Sequence, residues 1–235
     1  MATILNLDKR LSTIIKFCPN TKTVADIGCD HGKIAAELIL QSKAYNVIAS
    51  DISPESLNKA VLLANKLNIL GYISFRQGDG FSVISKHDKV DCAIIAGIGG
   101  EEIISIIKKS KVRVSDLVLQ PMTDIIKVRA YLIQIGFKIL EDVTIKEGSR
   151  FYHIIKLKDG KMRITDLQFY FGVTNMRELG EDFIEYIKKE RDRILLIKSN
   201  VGELSQKNEK YLAKIEKVIQ KYQVKKKNEI GDFNG

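Results

Sequence analysis

Three carboxylates set the chemistry of the chain: Asp26 and Asp51 end short apolar runs, and Asp79 follows the strand signal Ile73-Ser74-Phe75-Arg76. Asp26 opens the stretch Asp26-Ile27-Gly28-Cys29-Asp30-His31-Gly32, Asp51 closes Val47-Ile48-Ala49-Ser50, and Asp79 lies in Gly78-Asp79-Gly80. Carboxylates at successive strand ends would ring one ligand with hydrogen-bond acceptors. Asp26 suits an ammonium, Asp51 the hydroxyls of a ribose, and Asp79 an adenine amino group. Gly28 lets the backbone approach such a ligand with no Cβ in the way. The pyrophosphate fingerprint Gly-x-Gly-x-x-Gly is not matched, because Asp30 stands where its second glycine belongs. Three acids without that fingerprint suit S-adenosylmethionine better than a dinucleotide, with Asp26, Gly28, Cys29, Asp51, Ile52, Asp79 and Gly80 as contacts. The competing reading is that each Asp only ends a strand or caps a helix.

A second set of residues could receive a substrate. Ala96-Gly97-Ile98-Gly99-Gly100 follows the fourth apolar run and leaves floor space for a flat or bulky group. Ala96 and Gly97 would border the cofactor, and Gly99 and Gly100 the substrate, with Gln120-Pro121 beside them. Near the C-terminus Lys207, Lys210, Lys214, Lys217 and Lys221 step by three and four, so they share one helix face, which Lys225, Lys226 and Lys227 extend. Such a ridge is either a solvated face or a track of phosphate contacts.

The elements that must position these residues alternate between strand and helix. An amphipathic helix from Leu5 to Phe17, ended by Pro19, would pack on or lid the domain. Strands are expected at Thr23–Ile27, Val47–Ala49, Ile73–Arg76, Val90–Ile95 and Leu117–Leu119, each followed by a helix or turn. The helix after the first should open near His31, and the second helix should start at Ser53-Pro54-Glu55. Phe137–Ile145 and Phe151–Leu157 read as an added hairpin. The pattern predicts an α/β, doubly wound, mostly parallel sheet over residues 1–160. Apolar stripes from Met176 to Ser199 and from Glu203 to Tyr222 then predict a helical hairpin within 161–224, and 225–235 a basic, disordered tail. The aromatic run Leu167, Phe169, Tyr170, Phe171 should pack that appendage onto the sheet domain.

Composition narrows the classes. At 235 residues and 45% apolar content the chain can bury a full α/β core, and its formal charge of +9 favours a polyanionic partner. No apolar run approaches the roughly 20 residues of a membrane span, and no secretory pattern opens the chain, so a cytoplasmic protein is expected; a monomer is the separate expectation for its oligomeric state. Cys18, Cys29 and Cys92 lie far apart with no Cys-x-x-Cys pairing, which indicates neither a disulfide framework nor a metal site.

Taken together, Asp26-Ile27-Gly28-Cys29-Asp30-His31, Ala49-Ser50-Asp51-Ile52, Ala96-Gly97-Ile98-Gly99-Gly100 and Leu119-Gln120-Pro121 resemble the bacterial tRNA (adenine-N1)-methyltransferase family TrmK. The resemblance implies a class I methyltransferase that uses S-adenosylmethionine, yields S-adenosylhomocysteine and modifies adenine 22 of the tRNA D-arm. It further implies that the helical appendage helps hold the tRNA. Gly32-Lys33-Ile34 stands here where the family has Ala-Tyr-Leu, and Met122 where it has Asn. Because methylated N1 leaves adenine cationic, Asp30 is the expected catalytic carboxylate, with His31 orienting it and Gln120 facing the base. A methyltransferase for another base or a small molecule, a non-catalytic RNA-binding protein, and a nicotinamide oxidoreductase are the alternatives. RNA-stimulated methylation and cofactor binding separate the first two, and the broken glycine fingerprint disfavours the third.

Overall fold

A computed structural model describes residues 5–231; the last four residues of the predicted tail lie outside it. Helix α1 (Lys9–Phe17) is capped by the Asp8 carboxylate, which accepts from Leu11 N at 2.6 Å. The chain then alternates through β1 (Thr21–Ile27), α2 (Lys33–Leu40), β2 (Ala44–Asp51), α3 (Pro54–Lys66), β3 (Ile73–Gln77), β4 (Cys92–Ile98), α4 (Gly100–Lys109), β5 (Asp116–Pro121) and α5 (Ile125–Gln134). The hairpin β6 (Phe137–Glu147) and β7 (Arg150–Asp159) follows, then α6 (Asp166–Phe171), α7 (Val173–Glu178), α8 (Glu181–Val201) and α9 (Gln206–Gly231).

Among the described residues the strands form one seven-stranded sheet in the order β3-β2-β1-β4-β5-β7-β6. Strands β1 to β5 pair in parallel, and β7 runs antiparallel to β5. The central strands are buried on both faces, with Val24, Val47, Ile94, Ile95 and Leu119 fully enclosed, which is why they read as apolar runs rather than alternating ones. The chain leaves β1 for β2 on one side and returns to β4 on the other. The carboxyl ends of β1 and β4 therefore flank a topological switch point, where open α/β sheets bind ligands.

Two boundaries differ from expectation in ways that matter for the site. Strand β4 runs on to Ile98, so Ala96, Gly97 and Ile98 belong to it, with the register shifting at Gly97 (φ +81°) against Gln120 and Pro121. Helix α2 opens at Lys33 rather than near His31, after Gly32 in the left-handed region. Residues 28–32 are thus a turn, not a helix start.

Contacts divide the chain into one unit of Met1–Asp142 and Tyr152–Arg163, and another of Val143–Phe151 and Ile164–Gly235. The tip of the β6–β7 hairpin belongs to the helical unit rather than to the sheet unit, as its bonds explain. Buried Asn175 accepts from Thr144 N at 2.9 Å and donates to Thr144 Oγ1 at 2.9 Å and Phe171 O at 2.8 Å. The helical unit has its own core, in which α8 supplies Phe183, Ile184, Ile187 and Ile194 and α9 supplies Ile215, Val218 and Ile219. Phe171 joins that core, with its ring centroid 5.8 Å from Tyr211 and 6.3 Å from Phe183, so the aromatic run helps build the helical unit's own core. Leu179, left-handed at φ 50°, and Gly180 break what the periodicity suggested was one helix from Met176 into α7 and α8. Among the described residues of the expected tail the chain is helical: α9 continues to Gly231, and Lys225 and Lys226 reach Glu229 at i,i+4 and i,i+3.

Candidate active site

A cavity of about 520 Å³ opens at the carboxyl ends of β1, β2 and β4. Its lining includes Asp26, Gly28, Cys29, Asp51, Ile52, Asp79, Gly80, Ala96 and Gly97, the residues assigned to the cofactor from sequence, together with Asp30 and His31. Six carboxylates (Asp8, Asp26, Asp30, Asp51, Asp79, Glu102) line it against two fixed cations, Arg10 and Lys33. In a chain of formal charge +9, so acidic a cavity selects a cationic ligand and opposes a pyrophosphate.

Asp26 carries that selection. It is 2% exposed, and its Oδ2 is buried without a hydrogen-bond partner among the described residues. Burial, and then the nearby charges of Asp51 and Asp30, raise its pKa from the usual carboxylate range to about 7. An orphaned, destabilised carboxylate oxygen at a cavity wall fits an ammonium group there. A Cβ at Gly28, which lies at φ +73°, would meet no protein atom within 4 Å outside its chain neighbours, so the cavity is open over this glycine. Asp51 is held by backbone: Asp30 N donates to its Oδ2 at 3.0 Å and Ser53 N to its Oδ1 at 2.9 Å. That clamp orients the carboxylate while leaving lone pairs for the hydroxyls of a sugar. The side chain of Asp79 is mostly exposed, at 3.7 Å from Lys109 Nζ.

Asp30 explains the broken fingerprint. It sits at φ 47°, the left-handed conformation a glycine would take without strain, and Asp is one of the few side chains that tolerates it. Its Oδ2 lies 2.9 Å from His31 Nδ1, and both side chains are exposed to the cavity. The Cys29 thiol, by contrast, is pushed up first by burial and then by the charges of Asp26 and Asp51, so it stays neutral and is no nucleophile.

The residues expected to meet substrate are placed differently. Gln120 and Pro121 are buried within β5 and do not line the cavity. The Gln120 carboxamide is spent on protein: Nε2 donates to Pro121 O at 3.2 Å and to Met122 Sδ at 3.3 Å, and Oε1 accepts from Arg10. Gly100 is a packing residue, since a Cβ there would stand 2.5 Å from Thr123 O and 2.9 Å from Val128 Cγ2. Gly99, before α4, has room, its nearest neighbour to a Cβ being Thr123 Oγ1 at 3.6 Å. On α9, Lys207, Lys210, Lys217 and Lys221 are exposed. Lys214 is not part of a free ridge: it is ion-paired with Asp166 and lies 4.6 Å from the Tyr170 ring centroid.

Sequence reasoning missed Asp8, Arg10, Glu102 and Lys33, all of which line the cavity. Asp8 and Arg10 carried a signal, a charged pair at the start of a helix predicted to lid the domain. Nothing in the apolar stripe of α4 distinguished Glu102 from a solvated residue. Among the described residues, no group of three or more His, Cys, Asp or Glu side chains could hold a metal ion, and no helix is long and apolar enough to cross a membrane.

The strand order and the acidic strand ends define a class I methyltransferase fold. Residues 7–155 match the family described as a methyltransferase domain. The tRNA (adenine(22)-N(1))-methyltransferase of Bacillus subtilis is 32% identical over 159 residues, a span that takes in 66% of each chain. The structure of M. capricolum TrmK in complex with the natural cofactor product S-adenosyl-homocysteine aligns at TM-score 0.76 and 25% identity, covering 92% of this chain and 97% of that one. The B. subtilis m1A22 tRNA methyltransferase TrmK aligns at TM-score 0.76 and 25% identity over 95% of this chain and 98% of its own. The chain belongs to the methyltransferase domain family, in its TrmK-like branch.

Proposed function

We propose that this protein methylates N1 of adenine 22 in tRNA with S-adenosylmethionine. The observation that carries the reading is the buried Asp26 carboxylate, one oxygen unpartnered, in an acidic cavity at the switch point of a TrmK-like sheet. When bound, S-adenosylmethionine supplies a methyl group already activated on a sulfonium. The protein's task is then positioning more than covalent catalysis. Asp26 would hold the ammonium and Asp51 the ribose, with Asp79 toward the adenine. Adenine N1 is inaccessible in a paired base, so the target must be exposed or turned out of its stack. The decisive experiment is incubation with unmodified tRNA and labelled cofactor, followed by mapping of the methylated nucleotide. Label at N1 of adenine 22 is the expected result, and label elsewhere or none removes this assignment.

Asp30 is the carboxylate placed to offset the charge that develops on the base, with His31 at 2.9 Å to orient it. Asp30→Ala should leave cofactor affinity within about threefold while turnover drops by about 100-fold, the size typical of a lost electrostatic stabiliser. Calorimetry and single-turnover methylation separate the two effects, and undiminished turnover returns Asp30 to a turn-forming role.

On the helical unit, the four exposed lysines at 207, 210, 217 and 221 are the phosphate contacts, without sequence reading. Charge reversal of all four should weaken tRNA binding at least tenfold at low salt and flatten its salt dependence. Charge reversal of Lys214 alone should instead destabilise the helical unit, since it breaks the pairing with Asp166. Unchanged affinity and slope in the fourfold variant would make the ridge a solvated face.

A further inference from the structure

Arg10 enters the cavity from the first turn of α1. Its Nη1 donates to Gln120 Oε1 at 3.0 Å, and its guanidinium carbon lies 5.5 Å from the centroid of the Tyr152 ring. A Cβ built on Gly97, at the β4 bulge, would stand 3.7 Å from the same Nη1. The carboxylate nearest to it, Asp8, is 3.9 Å from Nη2, beyond hydrogen-bond distance. Arg10 is thus hydrogen-bonded to a neutral amide and set over a ring face, while its ion pair with Asp8 is long and leaves the guanidinium N–H groups on that side uncommitted. Gln120 in turn is 0% exposed and fixed at its other end by Pro121 O and Met122 Sδ.

That arrangement has a chemical reading. A guanidinium carries five N–H donors in a planar fork, and only one is committed here. An amide that fixes one arm of the fork, over an aromatic face, aims the remaining donors without spending the charge. Placing the charge against adenine N1 would oppose methylation, because the product is itself a cation. The group Arg10 meets is therefore anionic, and the fork matches a carboxylate or phosphate oxygen pair.

Resting on the methyltransferase reading above, we propose that Arg10 is the oxyanion receptor of this cavity and that Gln120 is its positioning residue. Gln120, assigned from sequence to face the base, acts through the arginine. The oxyanion has two sources of one chemistry, the α-carboxylate of the cofactor's amino-acid end or a phosphodiester of the RNA. Two measurements on the full chain distinguish them: calorimetric titration with S-adenosylhomocysteine, and steady-state methylation over a range of tRNA concentrations.

If the carboxylate is the occupant, Arg10→Met weakens S-adenosylhomocysteine binding about 10- to 100-fold, the range of a lost charged hydrogen bond. If the phosphodiester is, that affinity is unchanged while KM for tRNA rises by a similar factor and kcat stays within about threefold. In either case Arg10→Lys recovers part of the loss, because charge survives and the fork does not. Gln120→Met produces a smaller effect in the same parameter and adds little to Arg10→Met in the double variant. Native-like thermal melting of each variant checks the fold, and Arg10→Gln replaces Arg10→Met where melting is not cooperative. Movement of less than twofold in both the affinity and KM overturns the proposal. Wild-type protein that binds S-adenosylhomocysteine but methylates no tRNA refutes the assigned substrate instead, and the calorimetric arm still reads Arg10.

Discussion

Asp26→Asn is expected to weaken cofactor binding about 100-fold while making the ligand-free protein more stable at pH 8. Both effects come from one buried oxygen. Asp26 has its pKa raised from the ordinary carboxylate value of 3.8 to about 7, first by burial and then by Asp51 and Asp30. The folded state thus holds a proton that the unfolded state releases between those values, and stability falls as pH rises from about 4 to about 7. The full shift corresponds to on the order of 4 kcal/mol. An Asn amide left without a partner takes back about 1–3 kcal/mol at every pH, so a net gain near 2 kcal/mol at pH 8 is expected, crossing zero at about pH 5 and becoming a loss of about 1–2 kcal/mol toward pH 4. Urea melts across that range test it, and a variant less stable than wild type at pH 8 would show that Asp26 does not store this strain.

The same residue makes binding pH-dependent with a known sign. A cationic ligand needs Asp26 ionised, so wild-type affinity should fall as pH drops below about 7, approaching tenfold per unit, while the Asn variant stays flat. A second group modulates the stability curve. His153 has its pKa lowered to about 3, by burial and then by the Arg129 charge. It is neutral in the fold where the unfolded chain would protonate it, so its contribution falls as pH drops from 6.5 toward 3. The two slopes oppose each other between about pH 4 and 6.5, and wild-type stability should be flatter there than that of Asp26→Asn.

What the sequence made legible was the part of the site written in short-range code. An apolar run ending in Asp, at 26 and again at 51, and an Asp between glycines after the third strand signal, at 79, are local signals, and the sheet order brings those strand ends to one cavity. The Asp30 position was readable as a missing glycine, although not as the left-handed residue it is. Long-range packing was invisible. Gly97, Gly99 and Gly100 look alike in sequence, yet one makes a strand bulge beside Arg10, one has room beside it, and one is closed by Thr123 O. Lys214 shares a helical face with its neighbours by spacing, but a partner 48 residues away removes it from the ridge. The helical unit's claim on residues 143–151 depended on Asn175, whose two amide ends find Thr144 from 31 positions away.

The Arg129–Asp142 pair is a long-range contact with a large expected effect. Arg129 on α5 and Asp142 on β6 are 1% and 0% exposed, joined by Nε to Oδ2 at 2.6 Å and Nη2 to Oδ1 at 3.0 Å. Removing one member of a buried ion pair is costly because the charge left behind loses its counter-charge in surroundings that water cannot replace. Asp142→Ala should therefore cost about 3–5 kcal/mol of stability. A double variant, Arg129→Met with Asp142→Leu, should regain more than half of that loss, because a well-packed apolar pair avoids desolvation altogether. Calorimetric affinity for S-adenosylhomocysteine should stay within about twofold of wild type in the double variant, since neither residue lines the cavity. Urea melts decide the matter: a single variant that loses less than about 1 kcal/mol, the ceiling for an exposed pair, would mean the guanidinium finds water or another acceptor once Asp142 is gone. The contrast with Asp26 is one of address. Both are buried carboxylates, but Asp142 is matched by a counter-charge within the fold, whereas Asp26 keeps one oxygen unmatched at the cavity wall.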